Sequence, residues 1–210
     1  GVARPPFPVR GRIPNFEGAE QAARQLASVP EYERADAVFV NPDSPQRPVR
    51  ELVLRDGKRL VMATPKLRRG LIEISGTWRP EATTIRGALK HGRAVSPWDL
   101  KIDLIVEGSV AVDLEGNRLG KGGGFGDLEF AILKEAGAVS DATPIATTVH
   151  ELQIVERVPQ EPHDAPVDLI ITPRRVIRAR GRRAKPSGIL WELVDNALLS
   201  KIPLLREFQR

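Results

Sequence analysis

The sequence predicts a three-layer α/β domain, a mostly parallel sheet with helices on both faces. Short apolar runs at Ala37–Val40, Arg59–Ala63, Leu104–Val112 and Val167–Thr172 alternate with stretches of helical period. Strands separated by helices pair in parallel, because a parallel pair needs a crossover of about a dozen residues or more. Such a sheet is covered on both faces, and its strands read as apolar runs. The 210 residues, 41% of them hydrophobic, suffice for one substantial core and not for two. The expected organisation is an extended proline-rich lead-in over 1–15 and a single domain over 16–210.

Each element has a local reason. Pro5, Pro6, Pro8 and Pro14 keep the lead-in out of regular helix. Asn15 is expected to cap the first helix, with Glu17 and Glu20 in its first turn and Ala19, Ala22, Ala23 and Leu26 on one face. Ala37–Val40 reads as a buried strand that meets a loop at Asn41-Pro42. Pro48 opens a helix whose inner face is Val49, Leu52 and Val53, and Gly57 ends it. Arg59–Ala63 and Leu71–Ser75 are strands, and Glu81–Leu89 is a helix ending near His91-Gly92. Leu104–Val112 is a strand interrupted by Gly108. Gly116–Gly126 is read as loop, followed by a helix that Gly137 closes. Strands at Ala146–Val155 and Val167–Thr172 precede a terminal helix marked by Leu190, Leu193, Val194, Ala197 and Leu198.

Composition removes several classes. With no cysteine, the chain has no disulfide, thiolate metal site or cysteine nucleophile. No apolar run approaches the ~20 residues that span a bilayer. Gly1–Pro14 is basic and proline-rich without an apolar centre, unlike a signal peptide. A cytoplasmic protein is the expectation. The net charge of +5 fits a solvated basic surface or affinity for polyanions. Its main cluster is Arg174, Arg175, Arg178, Arg180, Arg182, Arg183 and Lys185. No aromatic residue interleaves this 174–185 segment, so it lacks the stacking platforms of a single-strand binder, and nucleic acid is not the favoured partner.

The strongest local signal is Leu119-Gly120-Lys121-Gly122-Gly123-Gly124-Phe125-Gly126-Asp127. Five glycines let backbone N–H groups approach a ligand, and the helix that follows presents its positive end. Lys121 adds a positive charge for a phosphate, and Asp127 a carboxylate for Mg²⁺. Walker A fails, because Gly122 rather than Ser or Thr follows Lys121, and the Rossmann spacing fails at Phe125. The residues alone leave two readings open: a phosphate cradle, or a flexible turn with Lys121 in solvent and Asp127 capping the helix.

At this loop the sequence resembles the 5-formyltetrahydrofolate cyclo-ligase family, whose pattern here is Gly-basic-Gly-x-Gly-Tyr-Tyr-Asp. His163-Asp164, Val167-Asp168 and Ile171-Thr172 resemble the family's later segment. A divergent branch, the methenyltetrahydrofolate synthetase domain-containing proteins, is matched by Arg12–Phe16, Asn41–Gln46, Gly57-Lys58, Ala63–Pro65, Gly108-Ser109 and Asp127–Glu129. Together these touch most of residues 5–175.

The resemblance implies a fold of the sugar-phosphate isomerase and CoA-transferase group. It implies a reaction in which MgATP phosphorylates the formyl oxygen of 5-formyltetrahydrofolate, ring closure follows, and 5,10-methenyltetrahydrofolate, ADP and phosphate result. By the same resemblance Lys121 and Asp127 are the catalytic pair. Arg12, Gly120, Lys121, Gly122, Gly123, Gly124 and Phe125 line the nucleotide. Asp127 and Asp168 hold Mg²⁺, and Asp43 stands where active members place a glutamate near the folate. Phe125-Gly126 replaces the usual Tyr-Tyr, so one aromatic is lost. Trp78, in a loop between Gly76 and Pro80, is the tryptophan expected at a pterin, whereas Trp98 and Trp191 read as core. His91 and His150 read as surface or packing residues, and His163-Asp164 as a loop cap. The alternatives are a non-catalytic nucleotide- or RNA-binding module and, on fold analogy alone, a sugar-phosphate or CoA-thioester enzyme.

Overall fold

The computed structural model describes residues 1–76, 78–181 and 183–209. Arg182 of the basic cluster lies outside them. The strands that matter here are β1 (Ala37–Val40), β2 (Arg59–Ala63), β3 (Leu71–Ile74), β4 (Arg93–Val95), β5 (Leu104–Glu107), β6 (Ile145–Thr148), β7 (Leu169–Ile171) and β8 (Val176–Arg178). Among the described residues they form one sheet in the order β8-β7-β6-β5-β1-β2-β3-β4. The stretch from β7 to β2 is parallel, and β8, β3 and β4 join it antiparallel at the two sides. The expected three-layer, mostly parallel architecture is what the chain adopts.

Side-chain alternation divides the core in two. Val38, Val40, Leu60, Met62, Leu104 and Val106 face helices α1 (Ala19–Ala27), α2 (Arg47–Arg55) and α3 (Ile85–His91). Ala37, Phe39, Val61, Ala63 and Ile105 face α4 (Phe125–Glu135) and the C-terminal segment with Leu204 and Leu205. Every residue of β1, β5, β6 and β7 is buried, as strands covered on both faces must be. No helix of the described residues is long and apolar enough to cross a membrane.

Several local expectations are corrected. Asn15 does not cap α1. Asn15–Phe16 pairs antiparallel with Ala3–Arg4, and Gly18, at φ 89°, occupies the cap position. The 116–126 stretch is not all loop, because Arg118–Leu119 forms a two-residue ladder with Ala111–Val112 and α4 begins at Phe125. The terminal helix is broken: Trp191–Leu193 is a single turn, Asp195 caps a new helix over Asn196–Lys201 by accepting the Leu198 N–H at 2.7 Å, and Pro203 opens another over Pro203–Glu207. Inside the basic cluster, Val176–Arg178 is the edge strand β8, with Arg178 paired to Glu31 at 2.7 Å.

Parallel strands run in one direction, so their ends separate two regions. The starts of β1 and β6 are held by aspartates. Asp103 accepts the Asp36 and Ala37 N–H groups at 3.0 and 2.9 Å, and Asp168 accepts that of Ile145 at 2.8 Å. The C-terminal ends of β1, β5 and β6 deliver Asn41, Gly108 and Thr148 to the opposite edge.

Ile105 is fully buried, and its strand lies between β1 and β6, paired to Phe39 and Ile145. Ile105→Ala should lower the unfolding free energy by about 2–5 kcal/mol, measured by urea denaturation. A loss under about 1 kcal/mol would mean that the two facing layers close over the deleted methyl groups.

Candidate functional site

The site is built where β1 and β5 end. The chain leaving β1 is fastened by Arg50 of α2, whose Nη1 donates to the Asn41 carbonyl at 2.6 Å and to the Asp43 carbonyl at 2.9 Å. Its Nε donates to the Thr83 carbonyl at 2.8 Å, and burial lowers its pKa to about 10. Asn41 is nearly inaccessible. Its Oδ1 accepts the Gly108 N–H at 2.8 Å, which fixes the amide so that Nδ2 donates to Glu129 Oε2 at 2.8 Å. Gly108 has no room for a side chain, because a Cβ there would meet Gln46 Oε1 at 2.8 Å and Ile13 at 3.0 Å.

Beneath this lies a buried charge network. The Arg118 side chain is 3% exposed, with Nε 2.5 Å from Glu107 Oε2 and Nη2 donating to Asp127 Oδ1 at 2.6 Å. Asp127 Oδ1 also accepts the Ala165 N–H at 3.2 Å. Burial opposes the charge on Arg118, but Glu107 and Asp127 outweigh it and hold the guanidinium pKa above its ordinary value. Glu107 is pushed up to about 7 by burial, with Arg118 pulling down and Asp127 pushing further up. Glu107 Oε2 is held by the ion pair with Arg118, and among the described residues no donor meets Oε1. Glu129 is raised well above its ordinary value by burial and by Glu107 and Asp43, against Lys121 and Arg118.

Over this floor stands the glycine-rich loop. Gly124 takes φ 63°, a left-handed conformation that favours glycine, and turns the chain into α4 without a side-chain cap bond. The first turn of α4 therefore leaves backbone N–H groups for a ligand. Lys121, half-exposed, donates to Asp43 Oδ1 at 2.7 Å and joins the loop to the chain beyond β1. Between them is a cavity of about 580 Å³, lined on its apolar side by Ile13, Ile85, Pro65 and Phe125. Lys66 on its rim has φ 56° and ψ 28°, an uncommon conformation for a residue with a Cβ.

The cavity brings together Arg12, Asp43, Gly120, Lys121, Gly123, Gly124, Phe125 and Asp127. Gly122 belongs to the loop but not to the lining. Asp168 and Trp78 are corrections. Asp168 lies at the start of β7, at the other edge of the sheet, where it accepts from Lys185 at 2.8 Å. It cannot share a metal ion with Asp127. Trp78 stands off the cavity, with the Arg55 guanidinium 5.1 Å from its ring centroid, and packs with the cluster of the α1–α3 layer. Among the described residues no group of three or more His, Asp or Glu is arranged to hold a metal ion. His163 Nε2 comes within 3.6 Å of Asp164 Oδ1, closer than adjacent extended residues suggest. Asp164 Oδ2 meanwhile accepts the Glu161 N–H at 2.7 Å, as a loop cap does.

Asn41, Glu107, Arg118 and Glu129 were not singled out from sequence. Each carried a signal. Asn41 directly follows an apolar strand, Glu107 ends one, and Glu129 is a charge inside the apolar face of α4. Arg118 had the plainest one, two residues before the first loop glycine.

Residues 9–173 match the 5-formyltetrahydrofolate cyclo-ligase family. The chain is 43% identical over 220 residues to the methenyltetrahydrofolate synthase domain-containing protein of Mus musculus, covering 99% of this chain and 59% of that protein. It therefore spans little more than half the length of that relative. To the 5-formyltetrahydrofolate cyclo-ligase of Escherichia coli K12 it is 28% identical over 171 residues, 76% of this chain and 90% of that one. The solution structure of Aquifex aeolicus 5,10-methenyltetrahydrofolate synthetase has a similar fold, with a TM-score of 0.54 at 23% identity over 80% of this chain and 84% of the other.

Because Glu107 binds its proton more tightly when folded, the unfolded chain carries fewer protons between its ordinary value of 4.5 and about 7. Stability should then fall as pH rises through that window. Denaturation at successive pH values should show the decline, and Glu107→Gln should flatten it, Glu129 supplying the remainder. An unchanged slope in the variant would show that Glu107 is ionised throughout.

Proposed function

The chain belongs to the 5-formyltetrahydrofolate cyclo-ligase family, and on that basis we propose that its cavity binds ATP along the glycine-rich loop and 5-formyltetrahydrofolate, or a related pterin, against the facing wall. The observation that carries this reading is the uncapped start of α4 behind four glycines, with Lys121 beside it and the cavity in front. Backbone N–H groups at a helix start favour anions, and a cation near them suits a triphosphate. The apolar wall of Ile13, Ile85, Pro65 and Phe125 suits a flat ring.

In this reading the formyl oxygen attacks the γ-phosphorus and ADP leaves. The neighbouring folate nitrogen then attacks the activated carbon, the carbon–oxygen bond breaks, and phosphate departs as the five-membered ring closes. The chain's part is to align the formyl oxygen with the γ-phosphate and to neutralise the charge that develops there. Lys121 and the amides of Phe125 and Gly126 meet the phosphates, and Arg12 approaches from the rim. Asp127 is already engaged by Arg118, and Asp168 is remote and engaged by Lys185, so in this reading the two carboxylates do not share a metal ion.

A second reading, a nucleotide-binding module with little turnover, has its own support. Gly126 supplies no aromatic face, and a Cβ there would stand 3.1 Å from Arg118 Nη2, so the buried guanidinium crowds the place where active members carry an aromatic side chain. Asp43, expected at the folate, is tied to Lys121.

Lys121→Ala should weaken ATP binding by about 1.5–3 kcal/mol, the worth of a hydrogen bond to a charged group. Equal affinities by calorimetry would remove Lys121 from the phosphate site. Conversion of 5-formyltetrahydrofolate with MgATP, followed by methenyltetrahydrofolate absorbance, should be slow beside the ~1–10³ s⁻¹ of ordinary enzymes. Gly126→Tyr should raise it if Arg118 yields by a few tenths of an ångström. Ordinary turnover in the unaltered chain would show that the lost aromatic is dispensable.

A further inference from the structure

Three carboxylates line the cavity, and their partners differ. Asp43 is bound to Lys121 at 2.7 Å and Asp127 to Arg118 at 2.6 Å. Glu129 is the most buried of the three, 5% exposed, and no cation bonds to it among the described residues. Its single donor is Asn41 Nδ2, on Oε2. Oε1 receives no hydrogen bond there, although the residue lines the cavity.

A buried carboxylate held this way is poorly explained by structure alone. Burial favours the protonated form of Glu129, two N–H donors arriving at its oxygens would favour the ionised form, and an apolar residue would fill the same place in α4 at less cost than either. The geometry is fixed from both sides. α4 carries the Glu129 backbone, and Asn41, itself locked by the Gly108 N–H, orients the carboxylate. Two oxygens in one plane, one of them free, form an acceptor pair for two parallel N–H donors.

We infer that Glu129 is a specificity residue that reads the ring edge of the substrate, accepting the N3–H and the 2-amino N–H of a 2-amino-4-oxopteridine. This rests on the folate reading of the cavity and names the group that selects the ring. The donor pair is unique to the 2-amino-4-oxo edge. A 2,4-dioxo ring places a carbonyl oxygen where the amino group stood, and two acceptors then oppose each other. A site built around such a pair rejects the analogue lacking it more strongly than an apolar pocket rejects an extra methylene. The ring would lie against the wall of Ile13, Ile85, Pro65 and Phe125, with its edge on the cavity floor.

The test compares 6-methylpterin with 6-methyllumazine, which differ at ring position 2, by fluorescence titration of the intact chain. The unaltered chain should prefer the pterin by about tenfold or more, as expected of one hydrogen bond to a charged group. Glu129→Gln presents one acceptor and one donor, so the preference should vanish or invert. Glu129→Asp keeps both acceptors on a shorter stem and should keep the direction of preference at reduced affinity. Because the readout is a ratio within the folded molecules, partial unfolding of a variant does not imitate it. Pterin preference unchanged in Glu129→Gln overturns the inference and leaves the folate reading standing. Loss of MgATP affinity in that variant, with pterin binding intact, also overturns it by assigning the carboxylate to the phosphate side. Absence of pterin binding to the unaltered chain overturns both.

Discussion

The candidate site depends on Arg118. Its guanidinium joins the end of β5 through Glu107 to the first turn of α4 through Asp127, and it is almost wholly excluded from solvent. A buried arginine stays charged, so the groups around it must supply the compensation that water no longer gives. Two carboxylates do so, and in return their positions are set by one rigid planar fork. Removing such a cation would strand both acids, which makes the triad costly to break even though it contributes little net stability compared with an apolar core. The ladder of Ala111–Val112 with Arg118–Leu119 holds the arginine's backbone in place, and the glycine-rich loop starts directly after it. The loop is thus anchored at its root by the Arg118 charge network and farther along by Lys121 on Asp43.

Charge balance gives the floor its character. Among the described residues, Asp43 pairs with Lys121, and Glu107 and Asp127 share Arg118, while Glu129 pairs with no cation. Burial is the main cause of the raised pKa values of Glu107 and Glu129, and the neighbouring carboxylates push them further up. The rim, by contrast, is cationic, with Arg12, Lys66 and Lys121, and the start of α4 adds the partial positive charge of its amides. An anion is drawn to the mouth and a hydrogen-bond donor to the base.

The fold was readable because its strands are apolar runs punctuated by glycine and proline, and burial on both faces leaves that mark whatever the side chains do later. The glycine-rich loop was readable for a similar reason: few structures other than a close backbone approach call for so many glycines. Asp168 was misplaced because spacing does not say which end of a parallel strand a residue occupies. Order along the chain does. A residue just before an apolar run, as Asp168 is, sits at the start of its strand, whereas Asn41, just after one, sits at the end where parallel sheets bind ligands. Trp78 was misplaced because a loop tryptophan can shelter on either layer, and only the Arg55 contact decides. Glu107 and Glu129 escaped notice because a single acid in an apolar segment resembles a solvated helix or strand end, and burial by the facing element is invisible in one sequence.

The bond between Lys121 and Asp43 has a consequence for how two ligands would share the cavity. A ligand that draws Lys121 away from Asp43 frees that carboxylate, and one that draws Asp43 away frees the ammonium. Whichever arrives first bears the whole cost of parting the pair, and the second finds its contact already released. Two ligands that use one side chain each are therefore linked with positive coupling, although no segment of backbone need move. Reciprocity is required by thermodynamics, so each raises the other's affinity by the same factor. Both side chains are partly open to solvent, at 41% and 18%, so salt weakens the bond and with it the coupling. A dilute medium would make the pair a sharper gate against either ligand binding alone.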